Sequence, residues 1–236
     1  MAGRLEDKLA LITGASRGIG RAVALALAAE GAHVILVART VGGLEEVDDE
    51  IQKAGGTATL VPLDLTDFEA IDRLGGTIFE RWGKLDILVG NAGILGPLTP
   101  TGHISPDEWD KVFAVNVTTN YRLIRSLDPL LQRADAGRAV FVTSGAAQKC
   151  RPFWGAYSVS KAALEALVKT WANEVEKTEL RINMVSPGPI ATKMRAKAMP
   201  GEDPATLKSP EDVAPLFLEL VSEGCTRHGD VISFQS

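Results

Sequence analysis

Short runs of leucine and β-branched residues recur along the chain, separated by longer stretches of helical spacing and closed by glycine or proline. Runs at Leu9–Ile12, Val34–Val37, Ala58–Leu63, Leu85–Val89, Ala139–Thr143, Ile182–Val185 and Val231–Phe234 predict seven strands. Between them, Arg21–Glu30, Leu44–Ala54, Phe68–Trp82, Ala156–Val175 and Pro210–Ser222 predict helices, and Pro106 towards Leu131 reads as helix with one break or bend. Gly75-Gly76 weakens the third of these, at about 1 kcal/mol per glycine relative to alanine. Continuously apolar strands are buried on both faces. Strands separated by helices of this length need parallel crossovers, which place helices on both sides of the sheet. The expectation is a single doubly wound α/β domain over residues 1–236, without repeats or linkers. Its one irregular stretch, Pro187–Ser209, is loaded with proline and glycine and reads as a lid beside the sheet edge.

The chain has 236 residues, a length that suits one large α/β domain. It carries 25 Lys and Arg against 30 Asp and Glu, a net charge of −5, which excludes an electrostatic nucleic-acid binder. Apolar residues make up 45%, enough for a sizeable core. Two cysteines, Cys150 and Cys225, are too few for a disulfide framework, and no Cys/His spacing fits a metal, so a reduced cytoplasmic setting is expected. Arg4, Glu6, Asp7 and Lys8 precede any apolar run, so neither a signal peptide nor a membrane span is expected. His33, His103 and His228 are scattered without partner spacing, and Cys150 carries no specific signal.

Directly after the first strand stands Thr13-Gly14-Ala15-Ser16-Arg17-Gly18-Ile19-Gly20, and a helix follows. Glycines at such a turn let the backbone approach a pyrophosphate, and the helix N-terminus offers N–H donors and a partial positive charge. This loop, Asn91-Ala92-Gly93, Asn116, Ser144, Tyr157 with Lys161, and Pro187-Gly188 resemble, in the same order, the short-chain dehydrogenase/reductase family. The resemblance runs over residues 13–192. It implies a Rossmann sheet of order 3-2-1-4-5-6-7 with a nicotinamide cofactor across the strand ends. It also implies a homodimer or homotetramer, although Thr226-Arg227-His228-Gly229-Asp230 departs from the family's closing Thr-Gly turn.

Charge selects the cofactor. An NAD site places an acid at the end of the second strand for the ribose 2′-OH, whereas a 2′-phosphate wants a cation. Here the strand runs into Ala38-Arg39-Thr40, and Arg17 adds a second guanidinium, so NADP(H) is expected over NAD(H). The resemblance implies that Asp64-Leu65 contacts adenine, although Asp64 equally suits a turn or helix cap. It also implies that Asn91 mainly supports the sheet, and that Ile190 and Thr192 in Pro187–Thr192 hold the carboxamide or a phosphate.

Tyr157 and Lys161 lie four apart and so share a helix face. A nearby ammonium favours the phenolate, and the oxidised nicotinamide would add to it, a fall of roughly two to three pKa units on cofactor binding. Ser144 follows the fifth strand, where ligands bind, and can donate to a substrate carbonyl. Thr143 is a rival, and Ser144 is preferred for its place thirteen residues before Tyr157, as in the family. By resemblance, Asn116 kinks its helix and holds a water linked to Lys161, and Lys161 bonds the nicotinamide ribose. The expected reaction is hydride transfer between NADP(H) and a small carbonyl or alcohol substrate. A non-catalytic NADP(H) sensor is the alternative, ahead of a ligand-free scaffold. Lys193, Arg195 and Lys197 offer an anion site or a solvated face, and Phe153 and Trp154 a substrate wall or core.

Overall fold

The computed structural model describes residues 3–234; the outermost two residues at each end of the expected domain lie outside the described residues. The strands are β1 (Leu9–Thr13), β2 (His33–Ala38), β3 (Thr57–Pro62), β4 (Ile87–Gly90), β5 (Arg138–Val142), β6 (Arg181–Ser186) and β7 (Val231–Ser233). The helices are α1 (Gly18–Ala29), α2 (Val41–Lys53), α3 (Phe68–Trp82), α4 (Pro106–Phe113), α5 (Thr119–Leu131), α6 (Ala146–Lys149), α7 (Gly155–Glu174), α8 (Lys193–Ala198) and α9 (Pro210–Val221). All strand pairs are parallel, in the order β3-β2-β1-β4-β5-β6-β7. This is the expected doubly wound Rossmann sheet, with its switch point between β1 and β4.

Strand pleating divides the core into two layers. Ala10, Ile12, Val34, Leu36, Val89 and Val140 face α1, α2 and α9, where Val23, Leu27, Leu44 and Phe217 meet them. Their neighbours Leu9, Leu11, Ile35, Val37, Leu88 and Phe141 face α3, α5 and α7, against Ile71, Leu127, Leu164 and Trp171. Both faces being apolar explains the unbroken hydrophobic runs.

Three local features differ from the sequence expectation. The bend after Pro106 is a π-helical turn, Ala114–Thr118, between α4 and α5. The stretch 187–209 is not irregular throughout: it holds α8 and a 3-10 turn at Pro204–Thr206, and a bridge pairs Ile190 with Lys208. Finally, Gly75 does not weaken α3 but lets it lie against α5. A side chain there would collide with the Ser126 carbonyl, and the Gly75 amide donates to Ser126 Oγ at 3.1 Å. Gly76 faces open space.

The two glycines therefore separate. Gly75→Ala is expected to destabilise the fold by about 1–3 kcal/mol through overpacking, whereas Gly76→Ala stabilises it by about 0.5–1 kcal/mol through helix propensity. Urea denaturation of the two variants checks the opposite signs.

Candidate active site

The carboxyl ends of β1, β4, β5 and β6 carry the residues singled out from the sequence. In the glycine loop, Gly14 and Gly18 adopt φ of +66° and +56°, left-handed conformations that side chains rarely tolerate. Gly20, in the first turn of α1, lies so close to the Gly14 carbonyl and the Asn91 amide that a Cβ has no room. The loop thus folds back on α1 and on β4. Arg17 stands at the N-cap in extended conformation; no side chain caps α1 and its first turn holds no acid. Those first-turn N–H groups and the positive end of the helix dipole suit a pyrophosphate.

Asn91 ties the two central strands together. Its Nδ2 donates to the Thr13 carbonyl at 2.9 Å and the Gly14 carbonyl at 3.3 Å, while the Asn91 and Ala92 amides donate to Thr13 Oγ1. At the neighbouring strand ends, Arg39 is exposed and lies 3.8 Å from Asp64. Asp64 Oδ1 accepts from the Thr66 amide and hydroxyl at 2.9 and 2.8 Å, which holds its carboxyl below the ordinary value. Asp64 therefore makes a turn; the cap of α3 is Asp67, which accepts from the Ala70 amide. Leu65 is buried, its carbonyl accepting from Thr119 Oγ1 at 2.6 Å.

After β6, buried Pro187 leads through Gly188, at φ +73°, to buried Ile190 and to Thr192. Thr192 Oγ1 caps α8 by accepting from the Arg195 amide, and its methyl group lies against Gly18 of the glycine loop. In the basic run, Arg195 is paired with Glu202, with Nη2 to Oε1 at 2.6 Å, while Lys193 and Lys197 are exposed.

Tyr157, Lys161 and Ser144 converge at the end of β5. Tyr157 is buried, with the Ser144 hydroxyl beside its phenol. Lys161, 3% exposed, donates to the Val142 carbonyl at 2.8 Å, its Nζ 5.8 Å from the centre of the Tyr157 ring. Thr143, the rival to Ser144, turns away and donates to Glu165 at 2.7 Å. Asn116, in the π turn, donates to the Ile94 carbonyl at 2.9 Å and to Ser160 Oγ at 3.0 Å, and accepts from the Ile94 amide at 2.8 Å. Gly93 packs where Asn116 and Lys161 meet: a Cβ there would lie 3.3 Å from Asn116 Oδ1 and 3.5 Å from Lys161 Nζ.

Around the phenol, Leu95, Trp154, Ala198 and Met199 form an apolar wall, Trp154 meeting the Tyr157 ring edge-on at 6.0 Å between centroids. Trp154 is partly buried in this cluster, whereas Phe153 and Cys150 are exposed. A cleft of about 520 Å³ opens alongside, lined by Gly145, Gln148, Lys149, Ser186 and Gly188 among others. Burial pushes the Tyr157 phenol up, offset in part by Ser144, and burial lowers the Lys161 ammonium to about 8, opposed by the charge of Glu165. The protein alone does not lower the phenol.

Two residues escaped the sequence reading. Glu165 is 8% exposed and accepts from Thr143 and Gln148, and Gln148 stands just beyond Ser144. The signal for Glu165 was a carboxylate inside the apolar stripe of Leu164, Val168 and Trp171. Two of the histidines are tied elsewhere: His33 bonds Thr57 and Thr59, and His228 bonds backbone at Ile182 and Ala172; His103 is exposed. No helix among the described residues is long and apolar enough to cross a membrane.

A Rossmann sheet with a phosphate-ready glycine loop and a Ser, Tyr and Lys cluster at its carboxyl edge defines the class of nicotinamide-dependent oxidoreductases. The family model for short chain dehydrogenases matches residues 8–203, and the chain belongs to that family. It is an oxidoreductase acting on CH–OH and C=O groups with NAD(P). It is 38% identical over 226 residues to the oxidoreductase YciK of Escherichia coli (strain K12), itself uncharacterized, covering 94% of this chain and 89% of that one. Among solved structures, a chain from Shigella flexneri 2a str. 301 complexed with NADP superposes with a TM-score of 0.95 at 37% identity, covering all of both chains. A chain from Escherichia coli CFT073 complexed with NADPH gives 0.93 at 37% identity, again over the whole of both.

Asn91→Ala is expected to cost about 1–3 kcal/mol of stability, because the Thr13 and Gly14 carbonyls lose their side-chain donor. Thermal unfolding monitored by circular dichroism checks this.

Proposed function

We propose that this protein is an NADP(H)-dependent oxidoreductase that moves a hydride between the nicotinamide and a small carbonyl or alcohol substrate, with Tyr157 as general acid and base. The observation that carries this reading is the convergence of the Tyr157 phenol, the Ser144 hydroxyl and the buried Lys161 ammonium at the end of β5. Two hydroxyls meeting at one point, backed by a cation, are what a carbonyl oxygen requires as it gains charge.

The residues present fit the cofactor. Gly14, Ser16, Gly18, Ile19 and Gly20 hold the pyrophosphate on the uncapped end of α1. Arg17 and Arg39, both exposed, take the 2′-phosphate. Asp64 at 3.8 Å is only a loose surface partner for Arg39, so the guanidinium is available to a stronger anion. The NADP and NADPH bound to the two related structures support the same choice. Asp64 and Leu65 border the adenine, Asn91, Ala92 and Gly93 line the floor, and Pro187, Gly188, Ile190 and Thr192 hold the carboxamide end.

Bound NADP(H) supplies the hydride. In the reducing direction Ser144 donates to the carbonyl oxygen and Tyr157 transfers its proton to it, leaving an alcohol and a phenolate. Lys161 stabilises that phenolate and bonds the ribose, and Asn116 carries the proton path onward through water. Burial holds the phenol protonated until charge arrives, so the fall in its pKa has to come from the oxidised nicotinamide and from Lys161. The wall of Leu95, Trp154, Ala198 and Met199 fits an uncharged carbonyl with an apolar flank, and segment 187–209 covers it. We also propose a cytoplasmic homodimer or homotetramer through α5 and α7, where Tyr121 and Val159 are exposed. The sensor alternative has no observation in its favour.

Titrating NADPH and NADH by nicotinamide fluorescence, then adding ketones, aldehydes and acyl thioesters, tests the reading. NADPH oxidation by one class is expected, and Tyr157→Phe lowers kcat by about 10²–10⁴-fold. A fully active Tyr157→Phe variant of intact fold overturns it. Arg39→Asp raises the KM for NADPH and lowers that for NADH; an unchanged ratio removes the NADP preference. Because Lys161 is charged below about 8 and neutral above it, kcat/KM for reduction is expected to fall on the alkaline side with a midpoint near that value.

A further inference from the structure

Three side chains of α7, each four residues from the next, engage three successive residues at the end of β5. Lys161 donates to the Val142 carbonyl, Thr143 donates to Glu165, and the Ser144 hydroxyl sits beside the Tyr157 phenol. The first and last of these helix positions differ in role: Tyr157 is the acid and base of the reading above, whereas Glu165, equally buried, spends its oxygens on Thr143 and Gln148. Glu165 Oε1 accepts from Thr143 Oγ1 at 2.7 Å, and its two oxygens accept from Gln148 Nε2 at 3.0 and 2.8 Å. Thr143 immediately precedes Ser144, and Gln148 lies in α6, which starts two residues after it. One carboxylate therefore grips the chain on both sides of Ser144.

We propose that Glu165 is a positioning residue for the reaction assigned to this site: it fixes the Ser144 segment against Tyr157 and supplies the counter-charge to Lys161. The proposal rests on that functional reading for its kinetic consequence and on geometry for the rest. A buried carboxylate is costly unless its oxygens are satisfied and a cation is near. Thr143 and Gln148 both donate to it, and Lys161 stands one helical turn away. Around Lys161 itself, β5 contributes the Val142 carbonyl, the π turn the neutral Asn116, the β4 loop Gly93, and α7 the Tyr157 phenol and Glu165. Glu165 is the charge whose field opposes the burial of the ammonium.

Glu165→Gln keeps the size and one acceptor oxygen, enough for the Thr143 and Gln148 donors that share Oε1, but removes the charge. The first readout is the titration of ¹³Cε-labelled lysines in the full-length protein by NMR, with the signal of Lys161 assigned by its loss in Lys161→Met. Its midpoint near 8 is expected to move to lower pH by about one unit in Glu165→Gln, because burial then acts unopposed. This measurement needs no substrate. An inactive native protein would overturn the enzyme reading and leave the titration to judge Glu165.

The second readout is kinetic: Glu165→Gln lowers kcat by about 10-fold through misplacement of Ser144, with the Kd for NADPH within about twofold of native. Thr143→Val, which cuts one tether and keeps the charge, lowers kcat similarly but leaves the Lys161 midpoint in place. It also decides the matter if Glu165→Gln does not fold. An unmoved Lys161 midpoint in Glu165→Gln, or a kcat within twofold of native in Thr143→Val, overturns the proposal.

Discussion

A parallel sheet covered on both faces has nowhere to put polar chemistry except at the ends of its strands. In this protein successive residues of β1, β2, β4 and β5 enter opposite apolar layers, so every interior position is committed to packing. Hydrogen-bonding capacity left over at the carboxyl ends has to be met by loops, helix termini or ligands. The glycine loop, the Asn91 clamp and the Ser144 segment are three answers to that same requirement, each built where a strand stops.

The site depends on how α7 lies on β5. Lys161 is desolvated, and its ammonium survives there through the Val142 carbonyl and the field of Glu165. The same helix places the phenol one turn earlier, in apolar surroundings that favour its neutral form. A protonated phenol and a neighbouring cation at marginal stability make a pair that responds to any new positive charge on its open side. Polarity is thus stored in the fold in a form that costs no reorganisation when the substrate arrives.

Much of this was legible in the sequence because glycine and proline punctuate many of the turns and the central strands are largely apolar. Phe68–Trp82 was placed to the residue even against Gly75, whose reason lies in α5 and is invisible locally. The choice between Thr143 and Ser144 needed the family spacing, since both follow β5 and only packing shows that Thr143 turns inward to Glu165. Glu165 itself was missed because a helical glutamate reads as solvent-facing; its burial depends on α6 closing over it. The π turn at Asn116 registers in sequence only as a bend, and α8, at six residues, is too short for periodicity to resolve. Asp64 fulfilled its local propensity for a turn, which a motif cannot distinguish from a ligand contact.

The bridge between Ile190 and Lys208 brings the two ends of the covering segment side by side, and the Ala191 amide repeats the tie to the Lys208 carbonyl. Everything between them, α8 with its Arg195 to Glu202 pair included, is an excursion that begins and ends at one place on the sheet edge. Closing such a loop costs little more when it lengthens, about 0.6 kcal/mol per doubling. Insertions and deletions there leave the strands, the glycine loop and α7 where they are. The fold therefore separates what must stay constant from what can drift, and a lineage could exchange one substrate for another by rewriting a single surface segment.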